Sequence, residues 1–176
     1  MKLDLLGIYL NDHLMGSVAG LEMARRAHAE NEGQPLGDFL AGFVEDLQAD
    51  RAQLQAVRRS LGLKQDLFKQ SLAWMGEKWG RLKLNGRLVS YSPLSRVVEL
   101  EALCLGTEGR LALWRTLRRL ASKEPRLGRF DFNVLIQRAE QQQRALERWR
   151  QKASEEAFLG EDTGSVLRIN PTREPA

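Results

Sequence analysis

The sequence has a single cysteine, Cys104, so it can form no internal disulfide and offers no Cys-rich zinc site. That scarcity fits a reducing, cytosolic setting. No uninterrupted apolar run approaches the roughly 20 residues that span a bilayer. A signal peptide is not expected either: Asp4 and Asp12 interrupt the apolar residues of the N-terminus, and no small-residue cleavage site follows. Gly-x-Ser-x-Gly, P-loop and dinucleotide fingerprints are all missing. The charge excess is only +4, and acidic residues interleave with most of the basic ones, which argues against nucleic-acid binding. Strand-like alternation of useful length and tandem repeats are also lacking.

What remains is helical periodicity. A chain of 176 residues with a 43% hydrophobic share fits one soluble domain with a real core. A first helix is expected from about Leu3 to Ala29, with Leu6, Tyr9, Leu10, His13, Gly16, Ser17, Gly20, Ala24 and Ala27 on its inward arc. The small residues of its second half would let another helix approach closely. After a turn at Asn31, Gly33 and Pro35, a second helix runs to about Leu61, with Gly62 as a left-handed cap. Ser92-Pro93 starts a third long helix, reaching about Ala121, as N-cap and first residue. Its expected arc is Leu94, Val97, Val98, Glu101, Cys104, Leu105, Glu108 and Ala112. Asp131 caps a fourth helix that ends near Phe158, with Leu135, Ala139, Gln142, Leu146, Trp149 and Ala153 inward.

Between the second and third helices lies a long connection. Residues Lys64 to about Leu82 can form a helix of their own carrying Trp74, Met75 and Trp79, with Lys69, Lys78, Arg81 and Lys83 around them. Tryptophan beside basic residues suits either a cover over the bundle or a contact with a partner. Trp114, Leu113, Leu117 and Leu120 fall off the third helix's expected arc. They form a second apolar face, from which we expect packing on the crossover helix or a symmetric homodimer.

Each of the four long helices carries polar residues in the centre of its apolar stripe. These are His13, Asp46 with Asp50, Glu101 with Glu108, and Gln142 flanked by Arg138. Asp46 and Asp50 stand one turn apart and point the same way. An unpaired buried charge costs several kcal/mol, so a shared buried polar layer is the economical expectation. The acids could be balanced by Arg138 and His13, by a metal, or by protonation. Oxygen ligands with one imidazole suit iron or manganese. Cys104, on the core arc, reads as a buried, inert thiol.

Two helical hairpins joined by a long crossover resemble the ferritin-like superfamily over most of residues 1–158. The resemblance implies an all-α, ferritin-like four-helix bundle with an additional crossover helix over residues 1–160. It also implies a metal centre on facing helices. The family's Glu-x-x-His motif is absent, and the other histidine, His28, lies near the end of the first helix, so ferroxidase or oxygenase activity does not carry over. The last residues, 161–176, read as a flexible tail. Its Thr163-Gly164-Ser165-Val166-Leu167-Arg168 loosely resembles the cargo-loading peptides of encapsulin-packaged ferritin-like proteins. The expected function is a non-catalytic, cytoplasmic helical-bundle protein acting through binding or assembly. The alternative is an atypical ferritin-like oxidoreductase using iron or manganese at His13, Asp46, Asp50, Glu101 and Glu108.

Overall fold

A computed structural model of the chain describes residues 1–63 and 91–159. Those residues form four α-helices and no strand: α1 (Leu3–Glu30), α2 (Pro35–Ser60), α3 (Pro93–Ala121) and α4 (Phe132–Phe158). None of these helices is long and apolar enough to cross a membrane. The expected crossover helix, with Trp74 and Trp79, and the C-terminal tail lie outside the described residues.

The helix ends follow from local chemistry. Ser92 accepts a hydrogen bond from the Ser95 backbone N–H at 3.1 Å, and Pro93 follows at the first helical position. The Asp131 carboxylate accepts from the N–H groups of Asn133 and Val134 at 3.0 and 3.2 Å. Gly62, at φ +70°, supplies the left-handed residue just after α2. The α1–α2 turn is tight: a Cβ on Gly37 would lie 2.1 Å from the Asn31 carbonyl oxygen, so only glycine fits there.

Two apolar cores occupy opposite ends of the bundle. The first joins Leu6, Leu10 and Leu14 of α1 to Leu54, Val57 and Leu61 of α2. It also takes in Leu111, Leu113, Trp114 and Leu117 of α3 and Phe132, Leu135, Ile136 and Ala139 of α4. The second joins Ala24 and Ala27 to Leu36, Leu40 and Phe43, with Val97, Leu100, Leu103, Cys104, Leu146 and Ala153. The pairing fixes the directions. α1 runs antiparallel to both α2 and α3, and parallel to α4.

Consequently α2 and α3 run the same way. Leu63 packs at Gly7, near one end of α1, while the Tyr91 hydroxyl meets Asn31, just past the other end. At 1.5 Å per residue these points are about 36 Å apart. Leu63 and Tyr91 thus stand at opposite ends of the bundle.

α3 is where the structure departs from the sequence reading. Its buried face holds Val97, Leu100, Leu103, Cys104, Thr107, Leu111, Trp114 and Leu117, a helical turn of roughly a third of a circle from the expected arc. Leu94, Val98, Glu101, Leu105, Glu108 and Ala112 are exposed. The reason is size. The helix carries two apolar arcs, and burying the one with the indole and four leucines removes more apolar area from water. Trp114, 1% exposed and with its ring 6.3 Å from that of Phe132, belongs to the core of its own chain. The partner face expected at Leu113, Trp114 and Leu117 is corrected accordingly.

Candidate functional site

Between the two cores lies a partly buried polar layer. Asp50, 3% exposed, forms ion pairs with Arg110 at 2.9 Å and with the Arg138 guanidinium. Arg138 also reaches Asp46 at 3.5 Å. Gln142 donates to Asp46 at 2.6 Å and accepts from Arg110 at 2.5 Å. Arg110 further lies over the Phe43 ring, 5.6 Å from its centre. Two carboxylates thus face two guanidiniums, with one amide bridging them. Burial pushes the Asp50 carboxyl up and the Arg110 guanidinium down, and the contact between the two opposes both shifts.

This layer contains Asp46, Asp50, Arg138 and Gln142, as the sequence pattern predicts. It does not contain Glu101 or Glu108, nor His13, which packs against Tyr9 instead. Glu101 and Glu108 are exposed, and Glu101 meets Arg150 at 3.8 Å. Sequence reasoning missed Arg110, which takes the place those acids were given. It lies one turn before Trp114, and choosing the Trp114 arc as the inward one would have found it. A second missed pair is Arg26 with the buried Glu99, at 2.7 Å.

The donor set does not fit iron or manganese as expected. Asp46 and Asp50 are already engaged by guanidiniums, and Glu101 and Glu108 face away. Among the described residues no group of three or more His, Cys, Asp or Glu side chains comes together. Cys104 is buried, and burial raises its thiol pKa, which disfavours the reactive thiolate.

Beside the polar layer lies a cavity of about 490 Å³ between α1, α2 and α3. Tyr9, His13, Phe43 and Trp114 give it aromatic walls, and Leu47, Leu54, Leu103 and Leu113 line it with aliphatic surface. Asp50 and Arg110 reach it from the layer. His13 packs edge-on against Tyr9, with ring centres 4.6 Å apart. Burial lowers its pKa from the ordinary 6.5, against a smaller opposing pull from Asp12.

The cavity exists because glycine lines it. Gly16 and Gly20 of α1 and Gly106 and Gly109 of α3 all border it. No described atom lies within 4 Å of where a Cβ on any of them would stand. Among the described residues, the small residues of α1 therefore face open space. Among the described residues the buried indole Nε1 of Trp114 has no hydrogen-bond partner. Nε of Arg110 is unpartnered as well.

Compared with known proteins, the chain matches no family, no curated protein and no solved structure.

Proposed function

We propose that this chain is a non-catalytic, ferritin-like helical-bundle protein that acts by binding a small, largely apolar molecule in the cavity between α1, α2 and α3. The observation that carries this reading is the cavity itself. Its volume falls in the range of about 300–1,000 Å³ typical of small-molecule sites, and aromatic and aliphatic side chains dominate its walls. Asp50 and Arg110 beside it are paired with one another, which suits a fixed wall better than an acid–base pair. The ferritin-like part rests on helix direction: a hairpin, a length-spanning return and a second hairpin resemble that superfamily's connectivity.

Thermal unfolding with the neutral dye Nile red tests the reading. Ligand that binds only the folded state raises the melting temperature with concentration. The wild-type Tm should climb with dye, and that of Gly106→Leu, whose side chain would fill the cavity, should not. A Tm indifferent to the dye in both would end it.

A homodimer also retains one supporting surface, the exposed apolar residues Leu94, Val98 and Leu105 along α3. Light scattering at micromolar concentration reads it: twice the chain mass supports it, and a monomer mass removes it.

A further inference from the structure

The polar layer divides the described residues into two halves of opposite charge. On the side of Leu10 and Trp114, residues 1–15, 51–63 and 111–137 hold ten basic and four acidic side chains. On the side of Ala24 and Leu146, residues 16–45, 91–109 and 139–159 hold seven basic and twelve acidic ones. Charges that alternate along the chain are thus sorted in space.

The positive half ends in one surface. Arg126 donates to the Leu61 carbonyl at 3.1 Å, Leu63 lies against Gly7, and Arg118 donates to the Asn133 side chain at 3.2 Å. These contacts bring the start of α1, the end of α2, the α3–α4 connection and the start of α4 to the same end. Lys2, Arg59, Arg119, Lys123 and Arg129 are exposed there, and none of them pairs with a carboxylate among the described residues. Leu5, Ile8 and Val134, on the same half, each leave more than half of their surface in water. The other half ties arginines into pairs such as Arg26–Glu99, Arg96–Glu156 and Arg150–Glu147, and its surplus is carboxylate.

Unpaired cations among exposed apolar side chains match the interface of an anionic bilayer, where headgroups answer the charge and the acyl boundary takes the apolar groups. A nucleic acid would answer the charge alone and offer Leu5, Ile8 and Val134 little to bury against. The acidic half is repelled by the same surface, which fixes the orientation. We propose that the basic end of the bundle docks on an anionic lipid bilayer. Lys2, Arg59, Arg119, Lys123 and Arg129 face the headgroups, and Leu5, Ile8 and Val134 enter the interface.

Co-sedimentation of the full chain with vesicles tests this. Phosphatidylcholine vesicles carrying about 30% phosphatidylserine should bind it at least about tenfold more tightly than pure phosphatidylcholine, and raising salt from about 0.1 to 0.5 M should release it. Arg119→Gln with Lys123→Gln should weaken binding to the mixed vesicles about 25-fold, roughly fivefold for each charge removed. Leu5→Ser with Ile8→Ser should weaken it about tenfold, since apolar surface no longer leaves water. All four side chains are exposed, so the melting temperature should hold. Should either variant fail to fold, the wild-type preference for phosphatidylserine and its loss in salt still decide. A DNA duplex of about 20 base pairs serves as the competing polyanion. No binding to vesicles, equal binding to both kinds, or tighter binding to the duplex than to the mixed vesicles overturns the proposal. Binding that survives both double replacements overturns it as well, by placing the contact elsewhere on the chain.

Discussion

Asp50 of α2 and Arg110 of α3 meet at 2.9 Å with side chains 3% and 10% exposed, at the boundary between the two apolar cores. α2 and α4 scarcely touch by backbone and are bridged by Arg138 and Gln142 reaching Asp50 and Asp46.

Asp50→Asn would leave two guanidiniums facing a neutral amide. Removing one partner of a buried pair costs roughly 3–5 kcal/mol, while replacing both with apolar residues is often neutral. Chemical denaturation should therefore show a large loss in Asp50→Asn and recovery of most of it in the double replacement Asp50→Leu with Arg110→Met. A loss below about 1 kcal/mol in the single variant would show that the layer is not integral to the fold.

Glu101→Gln and Glu108→Gln should each leave stability within about 0.5 kcal/mol of the wild type, as exposed substitutions do. Unfolding by urea checks this. A loss comparable to that of Asp50→Asn would return both acids to the interior.

Gly16→Ala and Gly106→Ala should stabilise the chain by about 0.5–1 kcal/mol each, the helix-propensity gain where nothing resists the methyl group. Gly37→Ala should do the reverse and cost about 1–3 kcal/mol, because its Cβ would meet the Asn31 carbonyl oxygen. Melting curves of the three variants decide it. Destabilisation by the first two would mean that the glycines serve close packing.

His13 supplies a pH dependence. Its folded-state pKa is lowered by burial, so the folded chain binds fewer protons than the unfolded chain as pH drops through 6.5. Its stabilising contribution is present above the ordinary pKa and is lost as pH falls toward the lowered value. In NMR titration the His13 ring protons should shift with a midpoint below 6.5. Stability between pH 7 and pH 5 should fall less in His13→Gln. A midpoint at or above 6.5 would place the imidazole in water.

Much of the fold was legible because caps and turns are local. Ser92, Pro93, Asp131 and Gly62 each act within a few residues, and the helix ends fall where they indicate. Asp46, Asp50, Arg138 and Gln142 were legible because α2 and α4 each have one apolar stripe. α3 has two. Periodicity shows both, and only packing against Phe132 and α1 selects the one holding Trp114. Choosing the other arc promoted Glu101 and Glu108 to the interior and concealed Arg110. The cavity was illegible for a related reason. Gly16 and Gly20 on a helix are compatible with close approach or with empty space, and helix spacing, set elsewhere, decides between them.

The most direct test is where an apolar molecule settles on this chain. Filtered nuclear Overhauser spectra of the Nile red complex, with methyl-labelled leucine and valine, report that position. Binding in the bundle predicts cross-peaks from the probe to Leu47, Leu54, Leu103 and Leu113, and their loss in Gly106→Leu. Cross-peaks to the exposed Leu94, Val98 and Leu105 instead, unchanged by Gly106→Leu, would contradict it.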